Sequence, residues 1–398
     1  MSYRKIGDLI QLVDHRNKDL AVTHLVGLTI NKKFIPSVAN TIGTDMANYK
    51  LIRKNQFACS TMQVRRDKKM PIALLKEFDI AIISQAYPVF EVIDENVILP
   101  DYLMLWFSRS EFDREACFHA VGGVRGSLEW EDFCGMQLPV PSIEEQRQIV
   151  VQYQSIANKI NVNEQICEKL EAAAQALYKH WFVDFEFPVQ SHCEERGTSD
   201  EAIPSLGYKS SGGTMVWNEE LGKEIPEGWE SGTIGDLFTF QRGHDLPSQR
   251  RIKGDYPIFA STGISEYHNE FKINKPTIIT GRSGSLGELF YYDQPCWPLN
   301  TSLYIINFKK AKPFYSLYFL QTVNLKELGA GSAVPTLNRN DIHMISNEIP
   351  NIEIVDNFEN KIKEIVSLKN LYIKQNLKLT QLQSLLLSRL AVGEEMSA

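Results

Sequence analysis

The sequence predicts an α+β protein in which two globular mixed α/β domains alternate with two long helices, the helices pairing antiparallel as a coiled coil. Three observations carry this. The chain repeats itself internally, a helical seam with a 3.5-residue period follows each copy, and short β-rich runs lie between Gly, Pro, Asn and Ser punctuation.

The 398 residues exceed one ordinary core and suffice for two domains with connecting helices. A 43% hydrophobic and 23% charged composition is that of a folded globular protein and excludes wholesale disorder. No apolar run reaches the roughly 20 residues of a membrane span, and the segment from Met1 to Leu9 does not read as a secretory signal. The cysteines at 59, 117, 134, 167, 193 and 296 are scattered, which reads as reduced thiols of a cytoplasmic protein rather than a zinc or disulfide framework.

The repeat fixes the frame. Ile6-Gly7-Asp8-Leu9 returns as Ile234-Gly235-Asp236-Leu237. Pro100-Asp101-Tyr102-Leu103 is echoed by Pro313-Phe314-Tyr315-Ser316, each opening an aromatic-rich helical stretch. Leu128, Asp132 and Pro141 correspond to Leu337, Asp341 and Pro350 at one constant offset. An ordered series of this kind marks a duplicated unit.

After each final proline the pattern turns helical. Ser142-Ile143-Glu144-Glu145 is a capping box, and Asn351 is the N-cap at the equivalent place. One seam then runs Ile149, Tyr153, Ile156, Ile160, Asn163, Cys167, Leu170, Ala174, Leu177, Trp181. The other runs Phe358, Ile362, Ile365, Lys369, Tyr372, Asn376, Leu379, Gln383, Leu386, Leu390. Alternating steps of four and three residues are a coiled-coil signal, and polar seam residues fix register at a cost in stability. A helix of this length, about 60 Å, outruns a small domain, so pairing the two helices is the simplest burial. The domains are therefore expected at 1–141 and 226–350, the helices at 142–183 and 351–391, an acidic polar connector at 184–225 and a tail at 392–398. The Ser-, Gly- and Glu-rich composition of the connector predicts loose order.

Catalytic signatures do not emerge. There is no HExxH, and the Gly-rich stretch Thr280 to Gly287 lacks the Lys-Ser/Thr pair of a P-loop and the spacing of a dinucleotide fingerprint. It reads as a tight polar turn. Asp184 and Glu186, beside Phe185, Phe187 and Pro188, read as helix-end packing rather than an acid–base pair. What remains is polar and partly basic. Lys50, Arg53, Lys54, Ser60, Thr61, Gln63, Arg65, Arg66, Lys68 and Lys69 crowd one stretch of the first domain, with Arg125 further on. In the second, Gln241, Arg242, His244, Arg250, Arg251 and Lys253 form a comparable cluster, and Arg282, Ser283 and Ser285 occupy the Gly-rich turn. Basic side chains neutralise phosphates, and Arg and Gln pair with base edges, so one cluster per domain points toward DNA. The net charge of -7 argues the other way. Much of that excess lies between Asp184 and Ile225, while each domain is nearly balanced, and affinity depends on the local face.

Certain framework stretches together resemble the specificity (S) subunits of type I restriction–modification enzymes, over the length of the chain. Leu138-Pro139-Val140-Pro141-Ser142-Ile143-Glu144-Glu145-Gln146-Arg147 resembles that family's entry into its first long helix. Trp181-Phe182-Val183-Asp184-Phe185-Glu186-Phe187-Pro188 resembles its central exit, and Ile225-Pro226-Glu227-Gly228-Trp229 the start of its second recognition domain. The sequence departs from the pattern before Ile6, which lacks a Pro-x-Gly-Trp entry, and at Glu348-Ile349-Pro350-Asn351, which replaces Leu-Pro-x-Pro. The resemblance implies a non-catalytic subunit whose two target-recognition domains each read half of a split site on double-stranded DNA. It also implies two methyltransferase subunits docked around the helices and restriction subunits completing the endonuclease. S-adenosylmethionine, ATP and Mg2+ would belong to those partners, with no cofactor bound by this chain. On the residues alone, a coiled-coil scaffold with peptide-binding heads remains the alternative.

Overall fold

The computed structural model describes residues 2–37, 44–120, 126–189, 207–329 and 336–390. The chain divides into two compact units, Met1–Glu164 with Lys374–Ala398, and Gln165–Ile373. Both are mixtures of helix and strand, and both contain a length of each long helix.

In the first unit, strands Ile10–Val13, Val89–Val92, Phe57–Cys59 and Ile72–Leu74 form one antiparallel sheet in that order. The middle strand Phe57–Cys59 and the edge strand Ile72–Leu74 are both buried along their length, which explains why Phe57-Ala58-Cys59 and Ile72-Ala73-Leu74 read as apolar runs without alternation. Phe57 stacks on Phe90 at 5.0 Å, and Phe107 and Phe133 close the cluster edge-on and tilted. Helix Pro100–Phe107 supplies Phe107; Pro100 sits in its first turn, where the missing N–H costs nothing. A smaller core, with Val26, Ile52, Ala81 and Ile83, lies under the pairs Val26–Leu28/Phe34–Pro36 and Lys50–Arg53/Ile80–Ile83.

The second unit builds the same sheet again. Phe238–Arg242, Ser302–Phe308, Thr277–Gly281 and Leu289–Tyr292 lie side by side, all antiparallel, in the order of their counterparts. Strands Gly263–His268, Tyr256–Ala260 and Trp297–Pro298 make its outer sheet. The repeated Ile-Gly-Asp-Leu has one physical reason in both copies. Each glycine abuts a short helix, so an added Cβ would meet Cys134 Cβ at 2.8 Å in the first copy and His343 O at 3.2 Å in the second. Entry and exit strands pair in each unit, Ser2–Lys5 with Gln137–Val140 and Glu230–Thr233 with Ser346–Ile349.

The long helices follow these exits. The first is α-helical over Ile143–Tyr178 and continues as a π turn over Lys179–Val183; the second spans Ile352–Arg389. Glu145 N–H donates to Ser142 Oγ at 3.3 Å while Glu145 Oε2 accepts from Ser142 N at 2.8 Å, a reciprocal cap. Asn351 Oδ1 accepts from Glu353 N at 2.9 Å. In the first unit, Val150 and Leu390 share a core and Asn163 meets Asn376. In the second, Glu171 pairs with Lys369 and Tyr178 packs on Phe358. Within each unit, rising numbers on one helix meet falling numbers on the other, so the pairing is antiparallel.

The connector was expected to be loosely ordered, and its described parts are residues 184–189 and 207–225. Residues 190–206, with Glu194, Glu195, Arg196, Asp200 and Glu201, lie outside the described residues, as does the tail 391–398. The flanks are ordered: Phe185 and Phe187 are buried, Phe187 stacks between Tyr208 and Trp229, and Met215–Asn218 pairs with Lys223–Pro226 as a hairpin. Phe185 and Phe187, read from the sequence as helix-end packing, dock on the second domain's core, and Tyr208, which the polar composition hid, packs there with them.

Candidate nucleic-acid interface

The strongest candidates leave the sheet at the same place in each domain. Phe57–Cys59 runs into a turn beginning Ser60-Thr61-Met62-Gln63, and Thr277–Gly281 into Arg282-Ser283-Gly284-Ser285. Thr61 O accepts from Leu128 N at 2.9 Å, and Arg282 O accepts from Leu337 N at 2.8 Å. The two leucines were matched in the repeat, so the turns are held by one conserved geometry of the frame. Gln63 and Gly284, each two residues beyond the pinned carbonyl, are both left-handed, at φ 64° and 87°. For glycine that conformation is free; for glutamine it is uncommon.

The first turn continues through helix Val64–Asp67, anchored by buried Val64, to Lys68, left-handed at φ 52°. Arg65, Lys68 and Lys69 are exposed. Arg66 is paired with its neighbour Asp67 at 2.6 Å. The far end of the turn is fixed from below: Asp113 Oδ1 accepts from Met70 N at 3.1 Å and from Lys32 Nζ at 2.8 Å. Lys32 also donates to Phe107 O, and burial lowers the pKa of its ammonium against the pull of Asp113. Asp113 and Lys32 thus position the basic loop without belonging to it.

The structure removes three charged candidates from free display. Lys50 is largely buried, donates to Tyr87 O at 3.0 Å and has its pKa lowered by burial. His244 sits 3.2 Å from Tyr304 Oη, its pKa lowered first by burial and then by Lys272. Arg251 donates to Leu246 O and pairs with Glu266 at 3.1 Å. Composition counts such charges as available, whereas here they hold loops to the domain. Arg53, Lys54, Arg250 and Lys253 are exposed, Lys54 lying 3.9 Å from Asp79. Ser60, Thr61 and Gln241 are half-buried, Ser60 N donating to Pro71 O at 2.8 Å. Arg125 lies outside the described residues.

In the second domain the turn is tight because its glycines are required. A Cβ on Gly281 would lie 1.8 Å from Ser285 O. Arg282 N donates to Thr301 O at 2.8 Å, Ser283 pairs with Thr336 as a β-bridge, and Ser285 is exposed. Arg242 and Arg282 line one hollow of about 270 Å3 together with Arg339 and Asn338. Sequence reasoning missed the last two. They stand one and two residues beyond the repeat anchor Leu337, and the Leu337–Arg282 hydrogen bond is what brings them to the turn.

The helix seams are a separate surface. Ile149, Tyr153, Ile156, Ile160, Leu170 and Leu177 are half-buried; Phe358 and Ile362 are buried; Ile365, Tyr372, Leu379 and Leu386 are half-buried. Among the described residues no cluster of three or more His, Cys, Asp or Glu could hold a metal ion, and no helix is long and apolar enough to cross a membrane.

Residues 226–381 match the family model for the type I restriction modification DNA specificity domain. The chain is 26% identical over 328 residues to the type I restriction enzyme MjaIX specificity subunit of Methanocaldococcus jannaschii, covering 76% of this chain and 71% of that one. It is 23% identical to the HindI specificity subunit of Haemophilus influenzae, with 98% of each chain covered. The fold is similar to that of the crystallised S subunit from M. genitalium, with a TM-score of 0.58 at 16% identity, covering 100% of this chain and 96% of that one.

Proposed function

We propose that this chain, which belongs to the type I restriction–modification specificity subunits, directs a DNA-modifying assembly to a split site, each domain reading one half. The observation that carries this is the doubling of one device. The same sheet order, the same pinned carbonyl and the same left-handed residue recur, while the side chains on the two turns differ. A repeated frame with unlike turns suits two unlike half-sites. The exposed Arg65, Lys68 and Lys69 of the first turn, with Arg282, Ser283 and Ser285 of the second and Arg242 at the end of the strand beside it, supply the polar and cationic contacts. In this reading the chain does no chemistry itself, its long helices carry two methyltransferase subunits and set the unread gap, and restriction subunits complete the endonuclease.

Co-expression with a type I methyltransferase subunit, followed by mapping of modified adenines, tests this. Modification confined to one bipartite sequence is expected. Modification spread over unrelated sequences, or none with an active partner, overturns it. Binding should also weaken steeply with salt, about 0.9 log unit per log unit of salt for each phosphate neutralised. Salt-independent behaviour would instead fit a scaffold with peptide-binding heads.

A further inference from the structure

The second domain gathers three arginines where the frame does not need them. Arg242 ends strand Phe238–Arg242, Arg282 opens the turn after Thr277–Gly281, and Arg339 begins helix Arg339–His343. Arg242 lies opposite Leu303, and Gly281 opposite the adjacent Ser302, so the first two reach the same end of the sheet. Leu337, bonded to Arg282 O, brings in the third. All three line the 270 Å3 hollow, and among the described residues no carboxylate lines it. Among the described residues the only protein acceptor for these guanidiniums is Asn300 O, 3.3 Å from Arg242 Nε.

Three like charges around one hollow repel one another, which opposes folding. The first domain makes the same point by contrast. At the equivalent positions it carries Thr61 and Trp130, and Trp130 packs on Phe90 and Phe133 inside the domain. The frame's hydrogen bonds are kept there without the guanidiniums. The arginines therefore serve something outside the chain, and three guanidiniums around one hollow, beside Thr336, Asn338 and the apolar Leu303 and Leu337, select a ligand with paired acceptors. Arg282 differs from its companions. Its backbone is bonded on both sides, to Thr301 O and from Leu337 N, and its side chain is half-buried, whereas Arg242 and Arg339 are exposed. A fork on a fixed base can read one edge, while exposed, mobile guanidiniums neutralise charge.

We infer that Arg282 reads the N7/O6 edge of a single guanine in the half-site of the second domain, with Arg242 and Arg339 contacting the flanking phosphates. This rests on the DNA-reading role proposed above. Guanine edge and phosphate share the paired-acceptor chemistry, and the variants separate them. In the assembled methyltransferase, Arg282→Lys keeps the charge and loses the fork. It should lower discrimination for guanine at one position of one half-site on the order of 10- to 100-fold, leaving the other half-site and the salt slope unchanged. Arg242→Ala and Arg339→Ala should weaken binding equally across sequences, each reducing the salt slope by about 0.9. Arg282→Ala, checked for folding by circular dichroism, should repeat the loss seen with lysine. Unchanged discrimination in Arg282→Lys, a loss uniform over sequences, or a half-site without guanine overturns the inference while leaving the two-domain reading intact. An unsubstituted assembly with no defined site would overturn both.

Discussion

Glu359 shows how a single buried carboxylate serves a backbone need. It is 3% exposed and accepts from the N–H groups of Phe314 and Tyr315, at 2.9 and 3.3 Å, at the start of helix Pro313–Thr322. Burial raises its pKa, outweighing those two bonds and the nearby Lys363 and Lys312. A raised pKa means that the folded state holds the proton more tightly, so stability falls as pH rises from the ordinary glutamate value through the folded one. Glu359→Gln should keep an acceptor for the helix and remove this pH dependence in urea titrations at pH 5 and pH 8. Glu359→Ala should cost about 1–3 kcal/mol at either pH, because it strands two buried N–H groups. At Gln63 the expectation is opposite. Relieving its left-handed φ of 64° with Gln63→Gly should leave stability unchanged or raise it by up to about 1 kcal/mol, while relaxing selectivity in the first half-site; full selectivity would show that the conformation serves only the loop. Neither the buried role of Glu359 nor the backbone conformation of Gln63 was legible in the sequence. Glu359 lies 45 residues from the amide it caps, and one sequence does not disclose a φ angle. The same blindness counted Lys50 and Arg251 as free charges, because residue type is visible and burial is not.

At the scale of elements the sequence said more. Period and caps are local, so Ser142 with Glu145, Asn351, and both seams could be read directly, and the exposed residues fall between the seam positions. The partners of the polar seam residues could not be read, because they depend on register. Lys369 meets Glu171 at 2.7 Å in the second unit. In the first, Asn163 Nδ2 donates to Gln375 Oε1 and Asn376 Oδ1 at 2.9 and 2.7 Å, and Asn376 Nδ2 donates to Ile160 O at 3.2 Å. Asn163 is fully buried and its Oδ1 has no partner, a standing cost. Asn163→Leu alone should destabilise the first unit by about 1–3 kcal/mol by stranding Asn376. Adding Asn376→Leu should recover that loss or exceed it, at the expense of a single register. A double-mutant cycle by chemical denaturation, with cross-linking between the helices to report register, checks both; additive effects would show that the two asparagines are not coupled.

Across the whole molecule, the duplication was legible from a few anchors, and the equivalence of the two sheets was not, since their strands share almost no sequence and differ in the loops between them. The frame is recognised by what must recur: a glycine against a helix, a leucine N–H on a turn, a proline before a long helix. The long helices, 36 and 38 residues, are about 54 and 57 Å in length. Removing seven residues from each, matched across the antiparallel seam, keeps the apolar period and shortens both by about 10 Å. On the proposed function, the unread spacer should contract by about three base pairs, as mapped by adenine modification; an unchanged spacer would show that the helices do not set it. Removal from one helix alone should mismatch the seam and abolish modification.

The pairing of entry and exit strands has a further consequence. Ser2–Lys5 lies against Gln137–Val140, and Glu230–Thr233 against Ser346–Ile349, so each domain leaves the chain's path and returns to it at neighbouring points. What lies between those strands is a closed excursion that touches the frame at a few points, Tyr102 Oη donating to Pro139 O at 3.0 Å and Glu359 accepting from Phe314 N at 2.9 Å. A gene segment cut at the two strands could be exchanged for one of different length, provided that it supplies the same few contacts to the frame. On the proposed function, a new preference could then be acquired by inheritance of a cassette, with the helix surfaces left as they are.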